Sequence, residues 1–283
     1  MGVTGSSGYL GSCVVRELTA RGHAVVRLSR AGGAAVRGFD LGEPLAEGLL
    51  DGIDALVHCA WDFRPSSWKR IFETNVAGSL RLFEKAVEQG VSRIVFISSL
   101  SSYDGCRSLY GRAKLEVEKE AERLGVVVIR PGLIYGPRPG GMVRAISNAV
   151  RRLPVLPLVG RCDATQYLVH QQDLCALIAA VIRREPGEVP SPLIAAALPG
   201  RSSRSIVEEI AASFGKRRAL VPVPWRLIHA ALRLIETFGL RPRTKADSVI
   251  GLVHPGPEPT IDGSERLGVR FRRFDAADLA GKE

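Results

Sequence analysis

Short apolar runs alternate with amphipathic helical stretches along this chain. That pattern predicts an α/β fold: a doubly wound parallel sheet with a smaller, mainly helical C-terminal region. Two local features support it. A glycine-rich turn, Gly5-Ser6-Ser7-Gly8-Tyr9-Leu10-Gly11, joins a short strand to an amphipathic helix. Residues 126–129 form an unbroken apolar run, as expected of a strand covered on both faces. With 283 residues, 46% of them hydrophobic, the chain can bury a large core in one or two domains.

In the glycine turn, glycines permit a tight bend and close approach of backbone amides to a pyrophosphate, and the helix end adds a partial positive charge. Gly5, Ser7, Gly8, Tyr9 and Leu10 are therefore candidate dinucleotide contacts. A second strand follows, in Gly22-His23-Ala24-Val25-Val26-Arg27-Leu28-Ser29-Arg30. An acidic residue at its end would bind the adenosine ribose hydroxyls. Ser29 and Arg30 stand there instead. A cation suits a 2′-phosphate, so the expected cofactor is NADP, with NAD as the alternative.

Residues 80–89 and 115–124 read as helices, and 126–129 as the strand between the second of these and the Pro/Gly-rich run 136–141, where departure from the sheet is expected. A helix over 173–183, a last strand over 193–197 and helices over 205–214 and 225–238 complete the pattern. The expected nucleotide domain is 1–138 with 171–198; the substrate-binding region is 139–170 with 199–283.

Tyr110 and Lys114 stand four apart in Ser108-Leu109-Tyr110-Gly111-Arg112-Ala113-Lys114, one turn apart on one helix face. A nearby ammonium favours phenolate, so the tyrosine pKa is expected to fall from about 10 toward working pH. Tyr110 is thus a candidate proton donor or acceptor for a carbonyl/alcohol pair.

With these motifs in register, the chain resembles the extended short-chain dehydrogenases/reductases of the NAD-dependent epimerase/dehydratase family. The resemblance covers about residues 2–180 well and the remainder loosely. It implies a Rossmann nucleotide domain. Asp40-Leu41 matches the acidic element beside the adenine, and Cys59-Ala60-Trp61 the small-residue turn under the cofactor. Asn75 matches a brace in the site or part of a proton relay, and Ser99, with Ser101 next, the catalytic hydroxyl that orients the substrate oxygen. Pro131, in Arg130-Pro131-Gly132, matches the strand end beside the nicotinamide. The resemblance also implies that Lys114 binds the nicotinamide ribose, and that the chain dimerises through two helices that include the tyrosine–lysine one. Only Met1-Gly2-Val3 precede the glycine turn, fewer residues than the family usually has, so the first strand is expected to be short or the true start to lie upstream.

Composition narrows the alternatives. No apolar run is long enough to span a membrane, and no signal peptide is visible. Five scattered cysteines without a C-x-x-C pair, and five histidines without ligand spacing, imply reduced thiols in a cytoplasmic protein and no metal. The net charge of +10 comes without a nucleic-acid motif and reads as a basic solvated surface or attraction to an anionic substrate or membrane. In 225–238, Leu227, Ile228, Ala231, Leu232, Ile235 and Phe238 share one face. That face is expected to pack on its own domain, with a membrane-surface helix as the alternative.

The expected chemistry is hydride transfer between NAD(P) and a carbonyl or alcohol, with Tyr110 moving the proton, Lys114 stabilising phenolate and Ser99 holding the oxygen. By resemblance, dehydratases and decarboxylases carry an acid just after the catalytic Ser/Thr; here Leu100 follows Ser99 and the next acid is Asp104. That favours a ketoreductase acting on a sugar-like, nucleotide- or lipid-linked substrate, with a sugar epimerase and a non-catalytic cofactor-binding scaffold as alternatives. Gln166 stands where related nucleotide-sugar enzymes often have a diphosphate-binding arginine. Arg161, Arg241 or Arg243 could supply that charge instead.

Overall fold

The structure is a computed structural model that describes residues 1–33, 35–160, 162–185, 187–238, 245–260 and 262–279. The first half alternates strand and helix: β1 (Gly2–Thr4), α1 (Tyr9–Ala20), β2 (Val26–Ser29), β3 (Val36–Gly38), β4 (Ala55–His58), α2 (Trp68–Ile71), α3 (Ala77–Glu88), β5 (Arg93–Ile97), α4 (Leu109–Arg123) and β6 (Val127–Pro131). A π-helical turn, Phe72–Val76, links α2 to α3. The second half comprises β7 (Leu133–Tyr135), α5 (Gly141–Arg152), β8 (Val155–Val159), β9 (Thr165–His170), α6 (Gln171–Ile182), β10 (Leu193–Ala195), β11 (Ala197–Ser202), α7 (Ser203–Ser213), β12 (Ala219–Val223), α8 (Trp225–Thr237), α9 (Ala246–Val253) and α10 (Asp262–Arg266).

Seven strands form one sheet in the order β10-β6-β5-β4-β1-β2-β3, every neighbouring pair parallel. The order reverses between β1 and β4, which opens a crevice at their carboxyl ends; open α/β sheets bind ligands there. Although β1 has only three residues, it pairs with β2 on one side and β4 on the other. Strand alternation divides the core. Leu56, Phe96 and Val128 pack with Leu82, Phe83 and Val117 on one face. Val57, Val95 and Ile129 pack with Val14, Leu18, Leu174 and Ile178 on the other. A third cluster, including Tyr135, Val143, Val150, Leu168, Ile206 and Ile210, lies beneath β7, β9, α5 and α7.

The chain leaves the large sheet at Gly132, before the Pro/Gly run that the sequence suggested. β7 already pairs with β9 in a three-stranded sheet, β11-β9-β7. At Gly132 a side chain would put Cβ 2.3 Å from the Tyr167 carbonyl oxygen, so only glycine lets the two strands pass. A two-stranded parallel pair, β12-β8, completes the C-terminal region.

The glycine turn is equally constrained. Gly5 has φ +62°, the left-handed region, and a Cβ there would meet Ala60 backbone at 2.9 Å. At Gly11 a Cβ would lie 2.1 Å from the Gly5 carbonyl oxygen, so α1 packs directly onto the turn that precedes it. Gly11→Ala is expected to destabilise the chain by about 1–3 kcal/mol, read as a lower urea midpoint, because backbone rather than a flexible side chain must move. An unchanged midpoint would show that the turn is not packed this closely.

Candidate active site

The carboxyl ends of β1, β2 and β4 meet at the turn. Thr4 Oγ1 accepts hydrogen bonds from the amides of Cys59 and Ala60, both at 3.1 Å, and lies 2.7 Å from His58 Nδ1. The end of β4 is thereby locked against the glycine turn. Gly8 precedes α1 at the capping position and has no side chain to cap the helix, so first-turn amides around Tyr9 and Leu10 remain for an external anion. Gly5, Gly8 and Gly11 together leave a cradle that side chains would fill. Ser7 is exposed on this turn. The residues present fit a dinucleotide pyrophosphate.

At the expected adenosine end, Ser29 is buried and Arg30 is exposed at the end of β2. Asp40 accepts from the Gly42 amide at 2.9 Å, and Leu41 is buried in the core. Here the structure adds groups that the sequence reading missed. Asp62 pairs with Arg64 at 2.8 Å, and Arg64 also lies 3.9 Å from Asp40. Hydrogen bonds and charge from Arg64, with further attraction from Arg30, outweigh burial and hold the Asp62 carboxyl below its ordinary range.

Asn75 lies in the π-helical turn, fully buried. Its Oδ1 accepts from the Asp62 amide at 2.7 Å and its Nδ2 donates to the Asp62 carbonyl at 3.0 Å. These bonds brace the loop after β4 that carries Trp61, Asp62 and Phe63. None of these bonds runs to Tyr110 or Lys114.

α4 brings Tyr110 and Lys114 to the carboxyl end of β5. Ser108 caps the helix by accepting from the Gly111 amide at 3.1 Å. Asp247, from the start of α9, accepts from the Leu109 and Tyr110 amides at 2.7 and 3.0 Å. Its charge also suits the positive end of the helix. Lys114 is 3% exposed. Its Nζ donates to the Ile97 carbonyl at 2.7 Å and sits over the Trp61, Phe96 and Tyr110 rings at 3.9, 4.5 and 5.9 Å. Tyr110 lies between Trp61, edge-on at 5.7 Å, and Phe63, stacked at 5.8 Å.

The expected fall in the Tyr110 pKa does not occur in the chain by itself. Burial pushes the phenol up to about 12, against a hydrogen bond from Ser99 that draws it down. Burial also pulls Lys114 down to about 7, so its charge is weakened where the phenolate would need it. Desolvation outweighs the ammonium–phenolate attraction assumed from spacing alone. The Cys59 thiol, beside Lys114, is pushed up to about 12 for the same reason.

Ser99 Oγ accepts from the Ser101 amide at 3.1 Å. Beneath them Glu118, two turns along α4 from Tyr110, receives a hydrogen bond from Ser98 Oγ and a two-pronged ion pair from Arg130 at 3.0–3.1 Å. That buried cluster was readable from the Tyr110–Lys114–Glu118 spacing. Asp247 had no such signal, because it lies 137 residues from Tyr110.

A cavity of about 80 Å³ adjoins Ser99, lined also by Ser101, Tyr103, Pro131, Gln166, Tyr167 and His254. Gln166 donates to the Leu252 carbonyl at 3.4 Å. No lysine, arginine or carboxylate lines the cavity among the described residues; Arg161, Arg241 and Arg243 lie outside them. Among the described residues no group of histidine, cysteine or carboxylate side chains could hold a metal, and no helix is long and apolar enough to cross a membrane.

The model of the NAD dependent epimerase/dehydratase family matches residues 1–192. The chain belongs to that family. It is an NAD(P)-dependent enzyme of the extended short-chain dehydrogenase/reductase type. It is 27% identical to UDP-glucose 4-epimerase of Vibrio cholerae, over 78% of each chain. It is 25% identical to dTDP-4-dehydro-6-deoxy-D-allose reductase of Streptomyces bikiniensis, over 95% of each. Among solved structures, MoeE5 in complex with UDP-glucose and NAD superposes with a TM-score of 0.76 at 22% identity, covering 99% of this chain and 95% of that one. Family members of this fold include epimerases, dehydratases and reductases, so the reaction must be argued from the site.

Lys114 makes stability depend on pH in a defined direction. Its folded pKa of about 7 lies below the ordinary 10.5, so between those values the unfolded chain binds more protons and stability rises with pH. Tyr110, raised from 10.0 to about 12, acts oppositely, but only above pH 10, where the folded state alone keeps the proton. The urea midpoint should therefore rise between about pH 7 and pH 9.5, and Lys114→Met should flatten that rise. An equal slope in the variant would mean that Lys114 is not buried.

Proposed function

We propose that the protein is an NADP-dependent ketoreductase that reduces the carbonyl of a sugar-like substrate, in which Ser99, Tyr110 and Lys114 carry the chemistry. The observation that carries this reading is the convergence of three groups: Ser99 lines the cavity, its hydroxyl draws the Tyr110 pKa down, and the Lys114 amine lies 5.9 Å from the tyrosine ring. When bound, the dinucleotide supplies hydride to the substrate carbon. Ser99 donates a hydrogen bond to the substrate oxygen and orients it. Tyr110 gives that oxygen its proton as charge develops there. Lys114 holds the ribose side of the nicotinamide and offsets the charge left on Tyr110.

The proton balance favours reduction. With its pKa raised to about 12, Tyr110 carries its proton at neutral pH, the form that a carbonyl reduction needs at the outset. Leu100 after Ser99 leaves no extra acid beside the reacting carbon for dehydration. Trp61 and Phe96 enclose the Lys114 amine, and Phe63 stacks on Tyr110. Epimerisation is the second reading, supported by the Vibrio cholerae relative; it would use the same residues but return the hydride to the substrate. A nucleotide- or lipid-linked substrate would need its diphosphate charge met outside the cavity next to Ser99. A homodimer through two helices that include α4 is the expectation from the family.

Tyr110→Phe should lower turnover of a keto-sugar panel about 100-fold or more while cofactor binding, followed by fluorescence, stays unchanged. Retained turnover would remove Tyr110 from the chemistry. Arg30→Ala should weaken NADPH binding roughly tenfold or more and leave NADH binding nearly unaltered, since a charge-assisted bond to the 2′-phosphate is lost. Tighter NADH than NADPH binding by the wild type would contradict the NADP assignment.

A further inference from the structure

α8 does not pack as its sequence suggested. Trp225, Ile228, Leu232 and Glu236 are partly covered, whereas Leu227, Leu234 and Phe238 are 63%, 60% and 75% exposed. These three, with Ala231, lie three and four residues apart and form one ridge along the outer face. The reason is that Glu236 is drawn inward: its carboxylate accepts from the Ala246 amide at 2.9 Å and caps α9. That turns the Trp225–Ile228–Leu232 side toward α9 and leaves the rest of the apolar surface outside.

We propose that the outer face of α8 is a docking surface for an anionic lipid bilayer. Charge selects this occupant. Arg226 and Arg233 are exposed on α8; its single carboxylate, Glu236, is turned toward α9 and lies 4.0 Å from Arg233, so the outer face presents two arginines against one mostly covered acid. Pairing with a second copy through this ridge would set arginines against arginines. A lipid surface answers both features: acyl chains take the leucine–phenylalanine ridge, and lipid phosphates take the arginines. The net charge of +10 adds long-range attraction to such a surface. α8 is also joined to the candidate active site. Residues 245 and 246, which follow it, bond to the Pro65 carbonyl at 2.8 Å and to Glu236, and Pro65 belongs to the loop whose Phe63 stacks on Tyr110.

The test is sedimentation of the full chain with vesicles of phosphatidylcholine alone and with added phosphatidylglycerol. The chain should sediment with the anionic vesicles only, and raising salt to about 0.5 M should release it. Arg226→Glu with Arg233→Glu should weaken binding by roughly fivefold or more per site. Leu227→Asp with Leu234→Asp should abolish it while NADPH binding, which these positions do not touch, is retained. Absence of sedimentation with anionic vesicles would overturn the proposal, as would equal binding by the leucine variant. A concentration-dependent dimer abolished by the same leucine variant would instead assign the ridge to a second copy and also overturn it.

Discussion

The site depends on one buried amine. Lys114 is held by the Ile97 carbonyl at 2.7 Å and enclosed by the rings of Trp61 and Phe96. An ammonium in such a place loses most of its hydration, and the surroundings must either replace it or let the proton go. The rings and the single carbonyl replace only part, so the amine stands near neutrality, with its pKa at about 7. The same walls desolvate Tyr110 and keep it protonated. Much of the nearby architecture maintains this enclosure. Asn75 braces the loop that carries Trp61, Thr4 locks the end of β4, and Ser108 with Asp247 sets where α4 begins.

Much of the fold was legible because its causes are local. The glycines at 5, 8 and 11, the alternation of strand and helix, and the apolar run before Arg130 each report a constraint within a few residues. The parallel direction of neighbouring strands follows from that alternation, since parallel neighbours require crossover helices; the order in which they lie, with β1 between β2 and β4, does not. Tyr110 and Lys114 were visible for the same reason, as a one-turn spacing.

What the sequence hid is non-local. Asp247 reaches the first turn of α4 from a distant element, and no spacing rule links them. Arg64 pairs with Asp62 two residues before it, but its approach to Asp40 at 3.9 Å joins two separate loops that no spacing rule links. The direction of the Tyr110 shift could not be read from an ammonium four residues away, because burial acts on both groups and was unknown. The apolar side of α8 was recognised, but its orientation rests on the capping bond of Glu236 to α9. Departure from the sheet at Gly132 reflects contact with Tyr167, again far along the chain.

Within the family the same hydroxyl–phenol–amine set can serve net reduction or a reversible exchange of hydride. On the proposed reading the cofactor arrives reduced and leaves oxidised. The most direct measurement is transfer from NADPH deuterated at the nicotinamide C4, with product deuterium and NADPH loss followed together. This account predicts deuterium at the new carbinol carbon and one NADPH consumed per product formed. An isomerised product that forms with no net loss of NADPH would contradict it.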